Sequence, residues 1–117
     1  MKRPLWNKTA EGNWYSLQSC DLSQIDAVGV YMIWHGGAPS QYVKVDHGHI
    51  GECLKRDRDD EAVLFHSAFG HLWFTWASAP SIHEREEHVR YLRSRYVPLI
   101  GDRRLEALPL TVRQAGQ

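Results

Sequence analysis

Seven histidines, two cysteines and two clusters of basic residues are the side chains with most chemistry to offer. A zinc site needs three or four nitrogen, sulfur or carboxylate ligands that converge. His47-Gly48-His49 places two imidazoles across one glycine, and His66 and His71 stand five apart. With His35 or Cys53 these would make a small histidine-rich metal-binding domain. No pair has the i, i+4 spacing that puts two histidines on one helix face, and there is no CxxC, so dispersed surface histidines are the plainer reading. His83 and His88 are also five apart and share a face poorly. A phosphate backbone calls for a different set. Lys44, Lys55, Arg56 and Arg58 form one basic group, and Arg85, Arg90, Arg93, Arg95, Arg103 and Arg104 a second. Glu84, Glu86, Glu87 and Asp102 offset much of the second group, and the spacings Glu86–Arg90 and Glu87–Arg90 suit a solvated helix face. Trp34, Trp73 and Trp76 would stack on bases wherever they are exposed.

Composition narrows these options. The chain of 117 residues is one domain with room for a modest core. Its formal net charge is zero, which argues against strong non-specific DNA binding but not against a local basic face. No apolar run approaches the ~20 residues of a membrane span, so no membrane partner is expected. Met1-Lys2-Arg3-Pro4-Leu5-Trp6 starts basic without an apolar stretch after it, unlike a signal peptide. Cys20 and Cys53 read as free thiols, and the expected location is cytoplasmic.

The elements that must position these residues follow from periodicity. Residues 1–13 read as a polar lead-in held by Trp6 and Trp14, with Trp14-Tyr15-Ser16-Leu17 as a short edge strand and one helical turn at Leu22-Ser23-Gln24-Ile25 behind an Asp21 cap. Val28 to His35 is a strand with Val30, Met32 and Trp34 on one face and Tyr31, Ile33 and His35 on the other. Gly36-Gly37-Ala38-Pro39-Ser40 is a turn, Gln41 to Val45 the returning strand, and Asp46-His47-Gly48-His49 a loop. Ile50 to about Asp59 is a short helix with Ile50, Cys53 and Leu54 inward. A helical turn at Glu61–Phe65 followed by loop leads to a strand at Leu72-Trp73-Phe74-Thr75-Trp76. Ser81-Ile82-His83-Glu84 is a capping box. The helix it opens turns Ile82, Val89, Leu92 and Tyr96 inward and stops before Pro98. Leu105, Leu108, Leu110 and Val112 belong to an irregular tail or a short strand. The expected architecture is a small α+β (α/β) domain: a three-stranded mixed sheet flanked by helices, with one sheet face easily covered.

This order, with Gly29-Val30-Tyr31 opening the first strand and Tyr42-Val43-Lys44-Val45 the second, resembles the GIY-YIG nuclease superfamily over roughly 28–102. Residues 1–27 are then a lead-in packed on the domain and 103–117 a C-terminal tail. The second motif falls on Lys44-Val45-Asp46, or in another register on Tyr42-Val43-Lys44, and its glycine is missing in both. The resemblance implies a tyrosine that helps activate water, an arginine that neutralises developing charge, and a glutamate that holds one divalent cation. Tyr31 fits the first role. The arginine position falls on Cys53, which has no guanidinium fork, and the glutamate position on Val89, which offers no oxygen to a Mg²⁺ ion. The resemblance therefore implies the fold without its catalysis: a nucleic-acid-binding or protein-interaction module that needs no cofactor. DNA is favoured over RNA, with Lys44, Lys55, Arg56 and Arg58 facing the phosphates. Tyr31 is then a packing residue with its hydroxyl at the surface. The alternative is a divergent endonuclease that uses Mg²⁺ or Mn²⁺, with Tyr31, Arg56 and Glu86 converging and Glu86 as the metal ligand.

Overall fold

The computed structural model describes residues 4–101. Within them the chain runs β1 (Tyr15–Ser16), a 3-10 turn at Leu22–Gln24, β2 (Val28–His35), β3 (Gln41–His49), α1 (Ile50–Arg58), α2 (Glu61–Leu64), a 3-10 turn at Phe65–Ala68, β4 (Leu72–Ser78) and α3 (Ile82–Tyr96). The strands form one sheet in the order β1-β4-β2-β3. Every pairing is antiparallel. The expected three-stranded mixed sheet is thus a four-stranded antiparallel one within an α+β domain. The hairpin lays β3 on one side of β2. The helical connection delivers β4 to the other side, and the lead-in supplies β1 as an outer strand.

Alternation along β2 sends side chains into two separate cores. Tyr31 and Ile33 pack with Val43, Phe74 and Leu72, under Ile50, Cys53 and Leu54 of α1 and Val63 of α2. Val30 and Met32 pack with Val45 and Ala77, under Val89 and Leu92 of α3. Helices therefore cover both sheet faces, where one was expected. The buried stripe of α3 is narrower than the periodicity suggests. His88, Val89 and Leu92 are buried, whereas Ile82 and Tyr96 are exposed, Tyr96 with one side against Tyr42 of β3. The lead-in belongs to the body. Leu17, Leu22 and Ile25 are core residues, and Trp6 packs on the α3 side.

Asp46 to His49 is strand rather than loop. Pairing continues to Val28↔His49 because β2 already begins at Val28 and offers its ladder that far. Gly48 adopts φ +141°, and a Cβ there would stand 2.9 Å from the Cys53 sulfur, so the last strand residues turn into α1 through a glycine. The segment after Phe65 is a 3-10 turn rather than loop. Ser81 caps α3 by accepting from the Glu84 amide at 3.3 Å. At its other end Val97 sits at φ 44°. That bend brings Leu99 and Ile100 back to donate to the Tyr42 and Val43 carbonyls at 2.9 and 2.8 Å. No helix among the described residues is long and apolar enough to cross a membrane. The tail residues Leu105, Leu108, Leu110 and Val112 lie outside the described residues.

Candidate functional site

Tyr31 occupies the middle of the central strand, with Asp46 of β3 and Trp76 of β4 as its cross-strand partners. Its side chain points into the α1 core and is fully buried, not placed with its hydroxyl at the surface as expected. The hydroxyl donates to Oδ2 of Asp57 at 2.5 Å. Asp57 is also fully buried. It stands on α1 one turn past Cys53, on the helix face turned to the sheet. Its other oxygen accepts from Lys44 Nζ at 2.7 Å, and Arg56 Nε lies 3.6 Å away. Lys44 reaches this carboxylate because the β2–β3 register shifts between Ile33 and Trp34, turning both Val43 and Lys44 toward the α1 side.

Burying a carboxylate is costly unless it is paired and hydrogen-bonded. Asp57 meets that condition through Tyr31 and Lys44. The arrangement also decides what Tyr31 can do. Burial first, and the Asp57 charge second, push its hydroxyl far above the ordinary tyrosine value. A tyrosinate that would take a proton from water is therefore out of reach at neutral pH, and the one hydroxyl proton is already given to Asp57. Cys53 is 8% exposed, and burial raises its thiol as well, so it stays neutral. Of this cluster only Arg56 projects well into solvent, with its side chain 61% exposed.

The other residues singled out from the sequence divide clearly. Glu86 is exposed on α3, which covers the opposite sheet face, so Tyr31 and Arg56 come together and Glu86 does not join them. Val89 is a core residue of the α3 side, and Val30 and Val45 pack around it. Gly29 lets β4 approach, since a Cβ there would overlap the Ala77 carbonyl. Of the four residues expected on phosphates, two are occupied internally. Lys44 holds Asp57, and Arg58 donates to the Leu17 carbonyl at 2.8 Å and to the Cys20 carbonyl, tying the lead-in to α1. Lys55 and Arg56 remain exposed.

The second basic group is likewise divided. Arg85 donates to the Ala79 and Pro80 carbonyls and to His47 Nδ1, and Arg93 donates to the Val45 carbonyl and pairs with Asp46 at 3.7 Å. Arg103 and Arg104 lie outside the described residues. Three histidines are engaged one at a time: His71 with Ser16, His35 with Gln41, His49 with Asp26. Among the described residues no three His, Cys, Asp or Glu side chains form a group able to hold a metal ion.

Asp57 is the site residue that sequence reasoning missed. Its signal was present, because Asp57 shares the stripe of Ile50, Cys53 and Leu54 at helical spacing. A charge on an apolar stripe announces a buried partner. No family model matches the chain, and neither does any curated protein or solved structure.

Proposed function

We propose that this is a cytoplasmic domain of GIY-YIG-like architecture that binds nucleic acid, DNA in preference to RNA, without cleaving it. The observation that carries this reading is the buried Tyr31–Asp57–Lys44 network. A tyrosine whose proton is committed to a carboxylate away from water holds the fold together; it does not activate a nucleophile. Two features support the architecture: Gly29-Val30-Tyr31 opens the central strand, and a helical connection separates the β2–β3 hairpin from the third long strand. Binding falls to the exposed cations Lys55 and Arg56 of α1, which need no metal.

The test is incubation of the intact chain with labelled single- and double-stranded DNA and RNA, with Mg²⁺ or Mn²⁺. The expected result is binding with no cleavage, and a salt slope that falls by about 1 for each of Lys55→Glu and Arg56→Glu. Cleavage that disappears in Tyr31→Phe would overturn the reading. A protein partner is the second reading. Phe65, which opens the 3-10 turn, and Phe69, which follows it, are 64% and 56% exposed and favour it, and absence of any oligonucleotide binding would bring it forward.

A further inference from the structure

The face of the sheet opposite Tyr31 carries a cavity of about 300 Å³ at the hairpin end, just past the last turn of α3. Its walls are aromatic: Trp6, Trp14, Trp34, Tyr42 and Tyr96. Trp14 meets Trp34 edge to face, with centroids 5.3 Å apart and planes at 88°. Trp34 and Tyr42 are tilted at 58°, and Tyr42 and Tyr96 at 43°. Rings set at steep angles leave faces and edges open together. Trp14 and Tyr96 are 37% and 38% exposed, so the walls are not sealed core. The volume is at the lower end for ligand sites, enough for one small flat ring system.

Charge decides which ligand. A box of aromatic rings is a standard receptor for ammonium groups. Here, however, none of the described residues lining the cavity is charged, so no carboxylate supports a bound cation. Two cations lie against its walls. Lys8 Nζ lies 4.3 Å from the Trp14 ring centroid, and the Arg95 guanidinium 5.5 Å from that of Tyr96. An ammonium ligand would enter between two like charges. A neutral base would find π faces to stack on, and the phosphates adjoining it would find a cation beside Trp14 and another beside Tyr96. The hydroxyl of Ser40, a lining residue, is available to the edge of the base, whereas the Gln41 amide is held by His35.

We infer that this cavity takes one unpaired base of a single-stranded nucleic acid, with the adjoining phosphates held by Lys8 and Arg95. A duplex is disfavoured because its bases are already stacked, and extruding one costs a few kcal/mol. The inference rests on the reading that the domain binds nucleic acid, and it adds a second site, remote from Lys55 and Arg56, with a preference for single strands.

The experiment is fluorescence anisotropy of the intact chain with a labelled oligothymidylate and with a blunt-ended two-strand duplex of equal length. Trp14→Ala is expected to weaken single-strand binding about tenfold and to leave duplex binding unchanged, whereas Trp14→Phe retains the single-strand affinity. Lys8→Glu, an exposed change that spares the rings, should lower the single-strand salt slope by about 0.7. Single-strand binding that survives Trp14→Ala and Lys8→Glu but drops in the Lys55→Glu/Arg56→Glu double variant overturns this inference alone. Loss of all oligonucleotide binding in the unaltered chain overturns the proposed function with it. Saturable quenching of tryptophan fluorescence by tetramethylammonium, lost in Trp14→Ala, would make the cavity a cation receptor and also overturn the inference.

Discussion

Asp57 carries a charge with no water to share it, so the α1 core rests on the groups that answer that charge. Tyr31→Phe removes the hydrogen bond to the carboxylate and should cost about 1.5–3 kcal/mol at neutral pH, the value of a hydrogen bond to a charged group. The same side chain sets an alkaline limit. Because folding raises the Tyr31 pKa, the contribution is fully present below the unfolded tyrosine value near 10 and is lost as pH rises above it. Above that pH the unfolded chain releases a proton that the folded chain keeps. Denaturant melts from pH 7 to 11 should show a steeper alkaline loss for the unaltered chain than for Tyr31→Phe. Equal slopes would mean that the hydroxyl titrates alike in both states. Tyr31 was legible in the sequence as a motif residue and Lys44 as a basic one. Their meeting was not, because it depends on a register shift in the hairpin and on an aspartate concealed within a run of charged residues at the end of α1.

At the scale of elements, the strands and helices with clear periodicity were legible, including the two faces of β2 and the Ser81 cap. What misled was composition. Asp46-His47-Gly48-His49 has the residues of a loop, yet β2 holds it in the sheet. The lead-in, read as packed on the domain, sends Leu17, Leu22 and Ile25 into the core, and Arg58 fastens two of its carbonyls. Gly51, unremarked in the sequence, lets the 3-10 turn at Leu22–Gln24 lie against α1; an added Cβ would stand 2.7 Å from the Ile25 carbonyl oxygen and 2.9 Å from that of Leu22. The end of α3 carries a cost that can be removed. Val97 is left-handed, a conformation that costs a residue with a Cβ roughly 1–2 kcal/mol, and its side chain is 73% exposed with little packing to lose. Val97→Gly is therefore expected to stabilise the chain by about 1 kcal/mol, read as a higher denaturant midpoint at unchanged m-value. A lower midpoint would show that the Val97 side chain contributes more than its backbone costs.

For the whole molecule, zero net charge with local cations predicts modest, salt-sensitive binding. On single strands each contacted phosphate contributes about −0.7 to the slope of log K against log salt, so Lys8, Arg95, Lys55 and Arg56 together set a limit of roughly −3. Titrations between 50 and 200 mM salt check this, and a much steeper slope would require cations beyond these four. Net neutrality has another consequence. Near its pI of 7.1 the chain has little charge repulsion to keep copies apart, so protection from intermolecular pairing falls to the shape of the sheet. One border is β1, only two residues long. At the other, Leu99, Ile100 and Arg93 take the carbonyls of Tyr42, Val43 and Val45, which a foreign strand would otherwise use as its template. With both borders closed in this way, the sheet resists fibre growth by strand addition even where solubility is electrostatically weakest.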